Sequence, residues 1–393
     1  MQTRVALTGN DAVGIAVAQV HPDVVAAFPI TPQTELMHKF AEFVADGKIP
    51  TELVLVESEH SAMSACIGAS AAGARTATAT SSQGFMLMLE VVHIASALRL
   101  PIVMPVVNRA ISAPINIHCD HSDAMVGRDS GWIQLFSENT QEAYDNTIMA
   151  FRIAEHPEIR TPVMINFDGF IISHTTEVLY QLDGQDVQSF VGIYKPGVRL
   201  LDPDNPITVG PLDLQDYYFE HKLSQNQGML AAPKVIREVS QEFGHRFGRY
   251  YDLFEAYKLN DAELAVIALG SAAGTIKVVV DELRDKGTKA GMLKPRVFRP
   301  FPAKEIAGAL SGLKAVAVMD RHSTQGGYGG PLFNEIRSAL YGAGTRMPVS
   351  GYLFGLGGRD LDLDQIRSIY TNLASLASGA PNDPELHVIG ARL

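Results

Sequence analysis

Apolar residues in the first third of the chain recur with two alternating periods. Val5-Ala-Leu, Val24–Phe28, Leu53–Val56, Thr76–Thr80, Ile102–Val107 and Val163–Phe167 are short apolar or β-branched runs and read as strands. Between them Ala12–Val20 and Gln33–Val44 carry helical patterns, the second with Leu36, Phe40 and Phe43 on one face. Ser58 is placed to cap a further helix with Glu59 in its first turn. Strands alternating with helices in this way predict a buried parallel sheet with helices on both faces.

The regularity fades from Leu182 to Glu255, where Pro196, Pro203, Pro206 and Pro211 mark an extended connector before a helix expected over Gln225 to about Tyr257. It returns at Leu264–Leu269, a strand feeding Gly270-Ser-Ala-Ala-Gly-Thr275 and a helix over Ile276–Lys286. Ala290–Val297, Ala315–Met319 and Val349–Phe354 complete a second set of strands. The pattern predicts an α/β protein of two doubly wound domains, 1–185 and 260–393, joined by 186–259, an extended connector with a helix. No internal repeat or low-complexity tract is visible.

Composition narrows the class. With 46% hydrophobic and 19% charged residues, the 393-residue chain is globular rather than disordered. The longest apolar runs fall well short of the ~20 residues that a bilayer requires, and no secretory leader is expected, so the expected location is cytoplasmic. A formal charge of −11 disfavours nucleic acid as a partner. Cys66 and Cys119 are the only cysteines, too few to ligate a four-cysteine cluster. No phosphate-loop signature, nucleophile elbow or zinc-protease motif occurs, and Gly326-Gly-Tyr-Gly-Gly330 lacks the dinucleotide spacing.

Several segments remain that can carry chemistry. Glu57-Ser-Glu59-His60 lies where a strand ends and a helix begins, the edge at which ligands collect in open parallel sheets; helix-dipole stabilisation alone also explains an acid there. Asn108-Arg109-Ala110 ends the strongest strand, and arginine's planar fork suits a carboxylate as well as an ordinary ion pair. Thr31 is held between Pro29 and Pro32, which leaves its hydroxyl little freedom. His118-Cys-Asp120-His121-Ser-Asp123 offers metal-ligating types, but so short a loop is better read as a hydrogen-bonded anchor. Ser61–Ala79 holds 13 alanine, glycine or serine residues out of 19, which suits close helix packing or a subunit contact.

Phe28-Pro-Ile-Thr-Pro-Gln33, Val56-Glu-Ser-Glu-His-Ser-Ala62, Ala69–Ala74, Thr80-Ser-Ser-Gln-Gly84, Asn108-Arg-Ala110, Asp120-His-Ser-Asp123 and Gly131-Trp-Ile-Gln134 together resemble the α subunit of the pyruvate:ferredoxin oxidoreductase family, part of the wider 2-oxoacid:ferredoxin oxidoreductases. The resemblance continues through Leu201-Asp-Pro-Asp-Asn-Pro206, Phe298-Arg-Pro-Phe-Pro302 and Gly355-Leu-Gly-Gly-Arg-Asp360 and so spans nearly the whole chain. It implies an N-terminal domain binding the pyrimidine side of thiamine diphosphate and a C-terminal domain like that of transketolase. It further implies a β subunit supplying the diphosphate side with Mg2+, γ- and δ-type subunits, and 4Fe–4S clusters in those partners. The chain agrees by lacking both a Gly-Asp-Gly motif and a Cys-x-x-Cys.

The resemblance also implies roles. Glu59 matches the glutamate that hydrogen-bonds N1′ of the aminopyrimidine, Arg109 the arginine that holds the 2-oxo acid carboxylate, and Thr31 a hydroxyl contacting substrate or cofactor. Ser82 falls in a matching cofactor-binding block; Asp120 and His121 fall in another without an assigned role. The implied reaction decarboxylates a 2-oxo acid oxidatively, passes electrons to iron–sulfur clusters and ferredoxin, and delivers the acyl group to coenzyme A. Pyruvate leads as substrate. Phe85-Met-Leu-Met88, Phe190-Val-Gly-Ile-Tyr194 and His322-Ser-Thr-Gln325 depart from the pattern and keep phenylglyoxylate, indolepyruvate or 2-oxoglutarate open. Thr31 in place of a cation argues against oxalate.

Overall fold

A computed structural model describes residues 2–383 and 385–392. Two sheets organise it. The first has seven strands in the order Val297–Arg299, Ile133–Phe136, Val163–Asp168, Val103–Asn108, Thr76–Ala77, Val24–Ala27, Glu52–Leu55. All its neighbours run parallel except Val297–Arg299, which is antiparallel to Ile133–Phe136. The second has six strands: Leu386–Val388, Val349–Leu353, Ala315–Asp320, Leu264–Ala268, Ala290–Pro295 and, antiparallel at its edge, Phe254–Tyr257. The parallel central strands are buried along their whole length, as both-face covering by helices requires.

Three expectations need correction, and one strand went unread. Val5-Ala-Leu is a strand but not part of the parallel sheet: Gln2–Thr8 pairs antiparallel with Thr176–Leu182 in a separate ribbon. Ile133–Phe136, which no sequence pattern marked, is a strand buried along its whole length; Gln134 donates there from Nε2 to the Ala124 carbonyl at 2.8 Å, while its Oε1 has no partner among the described residues. The connector is not all extended, since Gly184–Val191 is a helix capped by Asp183. The long helix runs over Tyr218–Phe247 rather than to Tyr257. Gly248 takes the left-handed conformation (φ 76°) that ends it, and Phe254–Tyr257 then joins the second sheet.

The two sheets also exchange chain across the expected boundary at 260. Phe254–Tyr257 lies before it yet belongs to the second sheet, while Val297–Arg299 lies after it yet pairs with the first. The helix Tyr218–Phe247 packs Val235, Ile236, Val239 and Phe243 onto the first-domain core beside Ile148, Phe151 and Phe190. At the crossing, Lys294 is buried among Glu138, Glu142 and Glu255, a saturated ion cluster. Residues of Ser61–Ala79 serve internal packing: Ala62, Met63 and Cys66 face Phe85, Met88, Val92 and Ala95 of the helix Ser82–Ala97. No helix among the described residues is long and apolar enough to cross a membrane.

Candidate active site

In the first sheet Val24–Ala27 is flanked by Glu52–Leu55 on one side and Thr76–Ala77 on the other, so the winding direction reverses there. The crevice outside the carboxyl ends at such a reversal is the expected ligand position. Thr31, Glu59 and Thr80 follow those three strands.

Glu59 opens the helix Glu59–Ala71, whose N-terminus is capped by the Ser58 hydroxyl accepting from the Ser61 amide at 3.2 Å. Only 6% of Glu59 is exposed, and burial raises its carboxyl pKa, offset in part by its own backbone N–H. No other residue described hydrogen-bonds its carboxylate. The carboxylate rests over Gly84, where a methyl group would collide with Glu59 Oε1 and stand 2.7 Å from Thr80 Oγ1. Thr80 Oγ1 is itself buried without a partner among the described residues. A buried acid, an unpartnered hydroxyl and a glycine that makes room for them form a polar cradle open to hydrogen bonding from a ligand.

Arg109 follows the strand Val103–Asn108 and is nearly buried. Its Nε donates to the Asn116 carbonyl at 2.9 Å and its Nη1 to the Thr31 carbonyl at 2.9 Å. Nη2 makes no hydrogen bond with any described residue, which leaves one arm of the fork for an anion. Thr31 and Arg109 therefore do meet, but through the threonine backbone; the Thr31 side chain lies on the exposed surface.

Ser82 does not present its hydroxyl to the crevice. It is fully buried and its Oγ donates to the Ala110 carbonyl at 2.6 Å. It ties two site-bearing segments together, a task it shares with Asp123, which motif reading left without a role. Asp123 Oδ2 accepts from the amides of Ser82 (3.0 Å) and Arg109 (2.9 Å), and Oδ1 from Asn108 Nδ2 (3.0 Å) and the Ala124 amide (2.7 Å). Burial pushes its carboxyl up to about 6 despite the Ser82 and Arg109 amides. An Asp a few residues beyond Asn-Arg was visible in the sequence, but its partners were not.

Asp120 binds its own turn, accepting from the Ser122 amide at 2.9 Å. His121 reaches Asp168 at 2.8 Å (Nε2 to Oδ1), and Cys119, His121 and Asp168 approach a common point. Arg321 also lies there, 3.3 Å from Asp168 Oδ2, and already supplies the positive charge. The loop is an interdomain anchor, as the hydrogen-bonded reading expected. Phe85 and Met88 are wholly inside the core, and Met86 and Leu87 on the outer face of their helix, so Phe85-Met-Leu-Met88 gives no sign of an enlarged substrate pocket. Phe190 likewise packs edge-to-face against Phe243 within the core.

Comparison with known proteins places these features. Residues 15–241 match the family model described as pyruvate flavodoxin/ferredoxin oxidoreductase, thiamine diphosphate-binding, and residues 262–366 match pyruvate:ferredoxin oxidoreductase core domain II. The chain is 55% identical over 367 residues to pyruvate synthase subunit PorA of Thermotoga maritima, covering 93% of each. It is 42% identical over 381 residues to ketoisovalerate oxidoreductase subunit VorA of Pyrococcus abyssi, covering 97% of this chain and 96% of that one. Among solved structures, 2-oxoglutarate:ferredoxin oxidoreductase from Magnetococcus marinus matches with a TM-score of 0.72 at 21% identity. That match covers 94% of this chain and 65% of the other, just under two thirds, and speaks to the fold.

Proposed function

The chain belongs to the pyruvate flavodoxin/ferredoxin oxidoreductase family, and from that premise we propose that it is the α subunit of a multi-subunit 2-oxoacid:ferredoxin oxidoreductase acting on pyruvate. The observation that carries the reading is the buried Glu59 carboxylate at the sheet reversal, raised in pKa and without a side-chain partner; Arg109, with one arm of its guanidinium open, follows a strand of the same sheet.

The cradle fits the aminopyrimidine of thiamine diphosphate. A carboxylate facing Gly84 can accept from a protonated ring nitrogen, and the orphaned Thr80 hydroxyl offers a further polar contact. When bound, thiamine diphosphate supplies the carbon nucleophile that attacks the oxo carbon and accepts the electron pair left when carbon dioxide departs. Glu59 would hold and return a proton at N1′, a role that its burial and the raised pKa that follows from it favour. Arg109 Nη2 takes the oxo acid carboxylate, a charge-assisted bond worth ~1.5–3 kcal/mol. The Thr31 carbonyl fixes Nη1, and the exposed Thr31 hydroxyl would be free to contact substrate or cofactor. Ser82 and Asp123 hold the Thr80–Gly84 and Asn108–Ala110 segments in register.

Partners complete the reading. A β subunit would bring the diphosphate side of the cofactor with its Mg2+, and γ- and δ-type subunits the 4Fe–4S clusters that deliver electrons to ferredoxin; coenzyme A would take the acyl group. Leu55, Met86, Leu87 and Ile94, all exposed apolar residues on and around the helices that carry Glu59 and Ser82, support a half-site that needs a partner. A cytoplasmic location and the division 1–185, 186–259 and 260–393, with the two strand exchanges noted above, complete the assignment.

The test is turnover of the purified complex with a low-potential dye. Pyruvate should be preferred over 2-oxoisovalerate, phenylglyoxylate, indolepyruvate and 2-oxoglutarate. Glu59→Ala should lower turnover by ~10²–10⁴-fold while the complex still assembles. Full activity in that variant would overturn the assignment.

A further inference from the structure

The segment that follows Arg109 is tied to the second domain. Beyond Arg109 the chain projects as a loop that closes when the Ala110 amide donates to the His118 carbonyl at 3.0 Å. Ile115 and Ile117 are exposed, so apolar burial does not hold the loop. Asn116 does, in two directions. Its carbonyl accepts from Arg109 Nε at 2.9 Å, while its side-chain Nδ2 donates to the Gly357 carbonyl of the second domain at 3.0 Å. Its Oδ1 accepts from the His118 amide at 2.8 Å, which fixes the side chain.

The second domain is shaped to receive it. Gly355, Gly357 and Gly358 have φ values of 63°, 59° and 79°, a left-handed path that side chains resist. A methyl on Gly357 would collide with Asn116 Nδ2, and one on Gly358 with His118 Cβ. The Gly358 amide donates to the Cys119 carbonyl at 2.6 Å, a second tie to the same loop. The glycines of Gly355-Leu-Gly-Gly358 thus present bare backbone to the segment behind Arg109.

We propose that Asn116 is a positioning residue, and that the second domain, through the Gly357 carbonyl, sets the direction of the Arg109 guanidinium and with it the affinity for the 2-oxo acid carboxylate. A planar guanidinium held at Nε and Nη1 by two fixed carbonyls has its free arm directed; releasing the Asn116 side chain from Gly357 frees the loop backbone that carries the Nε acceptor, so one of the two reference points is no longer fixed. The inference rests on the reading of Arg109 as the carboxylate-holding group.

The assembled complex is the test object, with pyruvate as probe. Asn116→Ala and Asn116→Asp, which keeps the size but turns an acceptor towards the Gly357 carbonyl, should each raise KM ~10-fold with kcat within about twofold. Gly357→Ala should do the same from the other domain. Arg109→Ala should raise KM further, and adding Asn116→Ala to it should change little, because both act through one group. If Arg109→Ala raises KM but the Asn116 and Gly357 variants do not, the positioning role is wrong and the carboxylate reading stands. If Arg109→Ala leaves KM unchanged, the carboxylate reading itself fails. Lowered thermal stability with unchanged KM would mark Asn116 as merely structural and overturn the inference; should Gly357→Ala not fold, the two Asn116 variants decide.

Discussion

At the winding reversal of the first sheet, Glu59 and Thr80 turn polar atoms into a crevice where no side chain among the described residues answers them, and Arg109, after a strand of the same sheet, keeps one arm free. At the reversal of the second sheet, between Leu264–Ala268 and Ala315–Asp320, the same kind of crevice is filled from the first domain. Asp168, at the end of a first-sheet strand, accepts there from the Ser271 amide at 3.1 Å and its hydroxyl at 2.5 Å, sitting like a bound carboxylate at the start of the helix Ala272–Asp285. Burial would push the Asp168 carboxyl up, but Arg321 and His121 outweigh it and hold it well below the usual range. Glu59 shifts the other way for want of such partners. Two α/β units therefore use one architectural position differently: one leaves its charges unanswered and can bind, the other answers them and becomes a joint. The unsatisfied edge is the one at which the proposed active site lies.

That contrast can be broken at either edge. The largest effect on stability should come from the joint. Asp168→Ala leaves Arg321 and His121 buried without their shared acid and should cost ~3–5 kcal/mol, read by denaturant unfolding of the complex. A loss below about 1 kcal/mol would show that the joint is not saturated in the sense argued. At the open edge, Gly84→Ala should displace the Glu59 carboxylate and lower turnover by ~10²-fold, with assembly retained. Unchanged turnover would mean that the carboxylate can move without consequence.

The smallest effect is a difference of sign with pH. The folded-state pKa of Asp168 is depressed, so its contribution is present above the unfolded value and is lost as pH falls through the folded one. The folded-state pKa of Glu59 is raised, so its contribution is greatest below the unfolded value and declines as pH rises through the folded one. Relative to wild type, Glu59→Gln should thus gain stability as pH rises from acid towards neutral, whereas Asp168→Asn should lose it. Parallel slopes from unfolding curves across that range would contradict the contrast.

Thr31, Glu59 and Arg109 could be singled out as candidates because each stands in a short local pattern (a proline-framed turn, a strand end with a capped helix, the last residues of an apolar strand), while their expected roles came from the family resemblance. Ser82 was found but misjudged, since its hydroxyl is spent on Ala110, 28 residues away. Thr80 and Asp123 sat inside recognised blocks without roles. Asp168, Ser271 and Arg321 were not singled out at all; Ser271 and Asp168 are 103 residues apart, and neither lies in a segment that looks like a site.

The sequence by itself determined the alternation of elements, the two sheets and the local geometry at each strand end, because hydrophobic period, capping and proline act over a few residues. Only the tertiary structure decided which strand of the second half would cross into the first sheet, which acid would stay unpaired and which would be neutralised. Those outcomes depend on burial and on charges brought together across the fold, and a carboxylate's character is set by the few ångströms of space around it rather than by its neighbours along the chain.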